Sequence, residues 1–164
     1  MKMLEAKIEG LALDMTTNSP VVILAPTELN KVLPIWIGHA EAWGIAMELS
    51  GVKSKRPLTY DLLIEVLGTL DATVDRVEIT ELKEQTFYAR IHLSANGRTY
   101  EIDARPSDSI ALALKANAKI FVNEELFNIS ESQSDESSPM PTDPESLRER
   151  LKRINPEDFG KYSL

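Results

Sequence analysis

Two short stretches of this chain carry the residue types that handle phosphate. In Arg56-Pro57-Leu58-Thr59-Tyr60-Asp61 and in Arg105-Pro106-Ser107-Asp108, an Arg-Pro pair leads into a hydroxyl and an acid. Proline suits the first position of a helix, Thr59 suits an N-cap with Leu58 and Leu63 stapled around it, Ser107 or Pro106 opens the second helix, and an acid in the first turn complements the macrodipole. The arginines are not explained this way, because a cation at a helix N-terminus opposes the dipole by about 0.3–1 kcal/mol. Two partners can offset that. One is the local Asp, as an internal ion pair; the other is an external anion held by guanidinium and free backbone N–H groups together. Lys53 and Lys55, just ahead of Arg56, make this the most basic short stretch of the chain. Such a patch can meet a phosphate backbone, or it can be a solvated loop.

The other candidates are thinner. His39 stands at a junction between strand and helix, where a neutral imidazole can act as a general base; the alternative is a helix-start residue in water. His92 alternates with Arg90 and Ser94 along a strand, which predicts a surface position. Glu41, Asp61, Asp103 and Asp108 lie at or near element ends. If they converge, they form the carboxylate set that holds Mg²⁺ or Mn²⁺ for phosphodiester hydrolysis. No compact His/Glu metal motif, calcium loop, glycine-rich phosphate loop or serine elbow occurs. Trp36 and Trp43 can stack on bases or serve a core or subunit interface, and Trp43 shares a helical face with Ala40 and Met47.

Positioning these residues requires about three helices among several strands. Leu4 to Asp14, Val21 to Ala25 and Leu33 to Gly38 read as strands, followed by helices over 40–50, ended by Gly51, and 59–70. The second helix shows a 3.6-period face of Leu62, Leu63, Val66, Leu67 and Leu70. Strands follow over 73–82, 86–94 and 98–104, the last two joined by Asn96-Gly97, a dipeptide suited to a type I′ hairpin turn. A third helix from Pro106 to Asn117 and a strand over 120–122 complete residues 1–128. Strands in blocks with helices between them predict an α+β fold with a mixed or mostly antiparallel sheet. Residues 129–143, rich in Ser, Pro and acid, read as a disordered linker, and 144–164 as a tail with a short C-terminal helix over Pro144–Ile154.

The whole chain has 164 residues, a net charge of −8 and no cysteine. That balance argues against electrostatic wrapping of nucleic acid by a basic domain, and the missing thiols exclude disulfides, thiolate metal sites and a Cys nucleophile. No apolar run is long enough to span a membrane and the first residues are charged, so a cytoplasmic location without membrane attachment is expected.

The blocks Pro34-Ile35-Trp36-Ile37-Gly38, Glu41-Ala42, Arg56 to Leu63 and Arg105 to Leu114 resemble the bifunctional nuclease domain family over about residues 3 to 128. The run Ile154-Asn155-Pro156-Glu157-Asp158-Phe159 is similar to a C-terminal extension of bacterial members. The resemblance implies an α+β fold, hydrolysis of RNA and DNA with low sequence specificity, and a homo-oligomer, with a dimer favoured. The motif positions carried over are Arg56, Thr59, Asp61, Arg105, Ser107 and Asp108. Tyr60 departs from the His of many relatives, which directs attention to His39. On this reading Arg56 and Arg105 clamp phosphate, Asp61 and Asp108 bind a cation or activate water, and Lys53, Lys55, Thr59 and Ser107 contact substrate. The alternative is a non-enzymatic binding or assembly module, for a protein partner or a phosphorylated metabolite, in which the Arg-Pro corners are internal salt bridges.

Overall fold

A computed structural model describes residues 1–128, 144–145 and 151–154. Two three-stranded meanders and one seam strand form its sheet. The first meander comprises β1 (Met3–Asp14), β2 (Ser19–Pro26) and β3 (Leu33–Trp36), and the second β4 (Ala72–Lys83), β5 (Thr86–Ala95) and β6 (Arg98–Ala104). Asn96 and Gly97 both hold positive φ, 52° and 74°, as the tight β5–β6 turn requires. Helices α1 (His39–Ser50) and α2 (Thr59–Thr69) link the meanders, and α3 (Pro106–Ala116) leads into β7 (Lys119–Asn123). Strand β7 enters between the halves, antiparallel to β1 and parallel to β4, giving the order β3-β2-β1-β7-β4-β5-β6. The expected α+β class and mostly antiparallel sheet are what the structure shows.

The helices gather on one face of the sheet. Ala42, Ile45 and Ala46 of α1 and Ile110 to Ala113 of α3 pack in one core with Val22, Leu24, Val77, Ile79, Ile91 and Val122. Strand β2 is apolar on both faces: Val21 and Ile23 pack with Ala12 and Val32 in a second, smaller cluster. Over β4, β5 and β6 the opposite face is polar. There His92 is 9% exposed rather than the surface residue its alternation predicts. Its Nε2 lies 2.9 Å from the Glu78 carboxylate, and Arg76 pairs with the same glutamate. Neighbouring strands bring these long side chains over the imidazole.

Helix α2 departs from its pattern. None of its residues is fully buried. Of the expected apolar face only Leu67 turns to the core, beside Tyr60 and Ile64, while Leu62, Leu63, Val66 and Leu70 are 41–64% exposed. A second correction concerns the tail. Residues 151–154, expected to be helical, form β8 and pair with Leu11–Asp14 of β1. Strand β7 covers only Met3–Ala6 of that long strand, so its far end offers unpaired backbone groups on the same edge. A short helix that is marginal alone cannot compete with that ladder. Residues 144–145 are helical; the linker 129–143 and residues 146–150 and 155–164 lie outside the described residues.

Because β7 is the strand hydrogen-bonded to both meanders, packing along it should weigh heavily in global stability. Truncating Ile79, fully buried on β4 opposite Val122, should cost about 2–5 kcal/mol in urea unfolding, whereas Ile102→Ala on the exposed edge strand β6 should change stability by about 0.5 kcal/mol or less.

Candidate functional site

The N-terminus of α3 carries the densest polar cluster on the helical side. Arg105 is its N-cap residue and Pro106 its first helical residue. The guanidinium donates from Nε to Asp108 Oδ2 at 2.8 Å and from Nη2 to Glu41 Oε1 at 2.8 Å and Asp108 Oδ1 at 3.2 Å. This internal pairing offsets the unfavourable dipole, and the Asp108 and Glu41 carboxylates together hold the guanidinium charge even more firmly than usual. The corner is nonetheless open. The Arg105 side chain is 66% exposed, and its Nη1 makes no hydrogen bond among the described residues.

Neighbouring elements fix this arrangement. Tyr60, in the first turn of α2, donates its hydroxyl to Asp108 Oδ1 at 2.9 Å. Burial first, and then the Asp108 carboxylate, raise the phenol well above its ordinary value, so it stays a donor. The ring fits because residue 44 of α1 is glycine; a Cβ there would stand 2.8 Å from Tyr60 Cε2. Gly38, the N-cap residue of α1, similarly leaves room for the Glu41 carboxylate.

The Arg56 corner differs. Arg56, Lys53 and Lys55 are exposed on the loop between α1 and α2, with no hydrogen bond or ion pair among the described residues. They border a groove of about 1290 Å³ between α1, this loop and α2. Its wall on α1 includes Ala40, Trp43 and Met47, so the face they share in sequence is the groove face; Trp43 is half-buried and Met47 buried. His39 and Thr59 border it as well, both exposed. Thr59 is the first residue of α2 and not its cap. That role falls to Leu58, whose N–H donates to Asp61 Oδ2 at 2.9 Å, and Leu63 is exposed, not stapled. Asp61 also pairs with Lys115, whose ammonium reaches Glu48 at 2.7 Å.

The two Arg-Pro corners therefore adjoin without merging. Arg56 borders the groove, Arg105 does not, and Tyr60 belongs to both neighbourhoods. Of the four candidate metal ligands, Glu41 and Asp108 meet on Arg105, Asp61 is committed to Lys115, and Asp103 lies exposed on β6 opposite Arg90. No group of three or more His, Asp or Glu able to hold a metal ion exists among the described residues. The donor set does not fit a resident divalent ion, because the two carboxylates that converge already share a guanidinium. Ser107 is buried at 7% exposure, turned into the protein in the first turn of α3. Trp36 is held at the sheet edge by a 3.0 Å bond from its indole N–H to Asp14. Gly44, Glu48 and Lys115 were not distinguishable in sequence. An isolated helical Gly and two surface-type charges announce no role until the helices pack.

The sequence matches the model of the bifunctional nuclease domain over residues 22–135. The chain belongs to the bifunctional nuclease domain family. It is 35% identical over 162 residues to an uncharacterized protein of Mycobacterium tuberculosis, covering 94% of this chain and 97% of that protein. It is also 26% identical over 113 residues to bifunctional nuclease 1 of Oryza sativa subsp. japonica, which is 67% of this chain and 34% of the rice protein. Bifunctional nuclease 1 of Arabidopsis thaliana is 25% identical over 116 residues, 69% of this chain and 36% of that protein. Both Arg-Pro corners of this family member fall within the matched domain.

The inner ion pairs give a pH signature. The hydrogen bond from Lys115, opposed by burial and aided by the Leu58 N–H, holds Asp61 below its ordinary value. A carboxyl group that binds its proton less readily folded than unfolded stabilises fully above its unfolded pKa of about 3.9 and loses that contribution as the pH falls through the folded value. Replacing Asp61 with Asn should therefore lower stability by about 1 kcal/mol at pH 7, and the gap from wild type should close towards pH 3 in urea midpoints measured across that range.

Proposed function

We propose that this chain is a cytoplasmic nuclease that hydrolyses phosphodiester bonds in RNA and DNA with little sequence preference. The observation that carries the reading is the Arg105 guanidinium, anchored by Asp108 and Glu41 yet open to solvent with Nη1 unspent. A non-bridging phosphate oxygen received at Nη1 meets a fixed positive charge, which favours the extra negative charge of the pentavalent transition state. Preorganisation is the function of the surrounding side chains. Asp108 and Glu41 hold the fork, Tyr60 holds Asp108, and Arg56 offers a second phosphate contact. His39 takes the proton of the attacking water, a role that suits imidazole near neutral pH. The water oxygen bonds to phosphorus as the bond to the leaving sugar oxygen breaks, and solvent protonates that oxygen. No step is routed through a metal ion, since the converging carboxylates are occupied by Arg105.

Cleavage of short labelled RNA and DNA strands tests this. Arg105→Ala should lower kcat/KM by roughly 100-fold or more, as loss of a charge-stabilising donor does elsewhere. His39→Gln should lower it by about 100-fold. Activity should persist in EDTA; its loss there would overturn the metal-free mechanism. Equal rates in wild type, Arg105→Ala and Asp108→Ala would remove the mechanism.

The outer face of α2 favours a second reading, assembly, which is compatible with the first. Leu63, Val66 and Leu70, which lie outside the groove lining, are 41%, 46% and 64% exposed on one short helix. Contiguous apolar surface of this kind marks an interaction site, and the proposed occupant is a second copy of the chain, giving a homodimer. A Val66→Asp, Leu70→Asp variant should sediment as a monomer under conditions where the wild type is dimeric. A monomeric wild type would defeat the reading.

A further inference from the structure

The groove beside the Arg105 corner has chemistry that the cleavage step does not use. One wall is apolar: the half-buried Trp43 stands between Ala40 and Met47 on α1, and Leu58 and Leu62 face the same space. Its rim on the loop between α1 and α2 is cationic, while the exposed Glu65 and the Lys115-paired Asp61 line the α2 side. Lys53, Lys55 and Arg56, three positive side chains within four residues, carry no hydrogen bond or ion pair among the described residues, in a chain whose net charge is −8. Elsewhere on the molecule Arg76, Lys83, Arg90, Arg105, Lys115 and Lys119 are each matched by a carboxylate. Lys7 and Arg98 also lack a carboxylate partner among the described residues, but each stands alone in the sequence, whereas the three unmatched cations of this one loop border an aromatic-walled groove.

We infer that this groove binds an unpaired nucleic-acid strand, bases against Trp43 and phosphates along Lys53, Lys55 and Arg56, so that the protein selects single strands over duplex. The inference rests on the nuclease reading and adds the form of the substrate. An indole offers a stacking surface to any base, which suits binding without sequence preference. A duplex cannot use it, because its bases are already stacked and its outer surface presents phosphate and sugar to an apolar wall. The groove is large enough for more than one nucleotide, at about 1290 Å³ against the 300–1000 Å³ of ordinary small-ligand sites. It also leads to the right place. Tyr60 borders the groove and bonds to Asp108, which holds Arg105, so a strand leaving the groove past Tyr60 arrives at the guanidinium.

Fluorescence anisotropy on the Asp108→Asn protein, with labelled six-nucleotide RNA and DNA strands and a blunt duplex, tests this without depending on turnover. Both single strands should bind at least tenfold more tightly than the duplex. Trp43→Leu should weaken strand binding about tenfold and abolish the quenching of tryptophan fluorescence, which Trp36→Phe should retain. The exposed pair Lys53→Gln, Lys55→Gln should fold normally and lower the slope of log affinity against log salt by about 1.4, at roughly 0.7 per lost contact with a single strand. Equal affinity for duplex, unchanged binding in both variants, or no binding would overturn the inference. Tight strand binding by a wild-type protein that cleaves nothing would leave the groove assignment standing and defeat the nuclease reading instead.

Discussion

Two cations on α3, ten residues apart, hold the helical layer together. At its start Arg105 grips Glu41 of α1 and, through Asp108, Tyr60 of α2. Near its end Lys115 grips Glu48 of α1 and Asp61 of α2. Glu41 and Glu48 stand seven residues apart and so share one face of α1. Exposed ion pairs contribute little singly. Their importance here is positional, because α2 has no fully buried side chain of its own to anchor it. Lys115, at 22% exposure, is also the better shielded of the two cations. Burial alone would lower its proton affinity, yet the Asp61 and Glu48 carboxylates hold the ammonium above its ordinary value.

That division separates a structural corner from a reactive one. Lys115 is enclosed and has both carboxylates on it, so its charge is spent within the fold. Arg105 is pinned on one edge and open on the other, so the same internal pairing that steadies it leaves a donor for an incoming anion. The two readings of an Arg-Pro corner, internal ion pair and anion site, are thus not exclusive. A guanidinium has five N–H groups in a rigid fork, and this one uses only part of them.

Small residues stand where bulk would intrude on the Arg105 cluster. Gly44 admits the Tyr60 ring and Gly38 admits the Glu41 carboxylate. Between α1 and α2 the 51–58 loop borders a groove instead of filling it. The apolar outer stripe of α2 then remains uncovered, since its inner side is taken by Tyr60, Ile64 and Leu67.

Periodicity and turn chemistry were enough to place the α+β class, the three helices, the Asn96-Gly97 hairpin and the two Arg-Pro helix starts, because each depends on residues close along the chain. The resemblance to a known domain rested on the same local blocks. What needed the folded molecule was the partner of every charge: that Asp108 takes Tyr60 and Arg105, that Asp61 is withdrawn by Lys115, and that His92 is enclosed by glutamates. Which side of α2 faces inward also waited on packing, since a helix with two apolar stripes has no unique answer by itself. So did the strand at 151–154, which forms against an open length of β1 that no local pattern reveals. Short-range preference decides which element a segment prefers; long-range contact decides what that element is pressed against, and the chemistry of the site follows from the second.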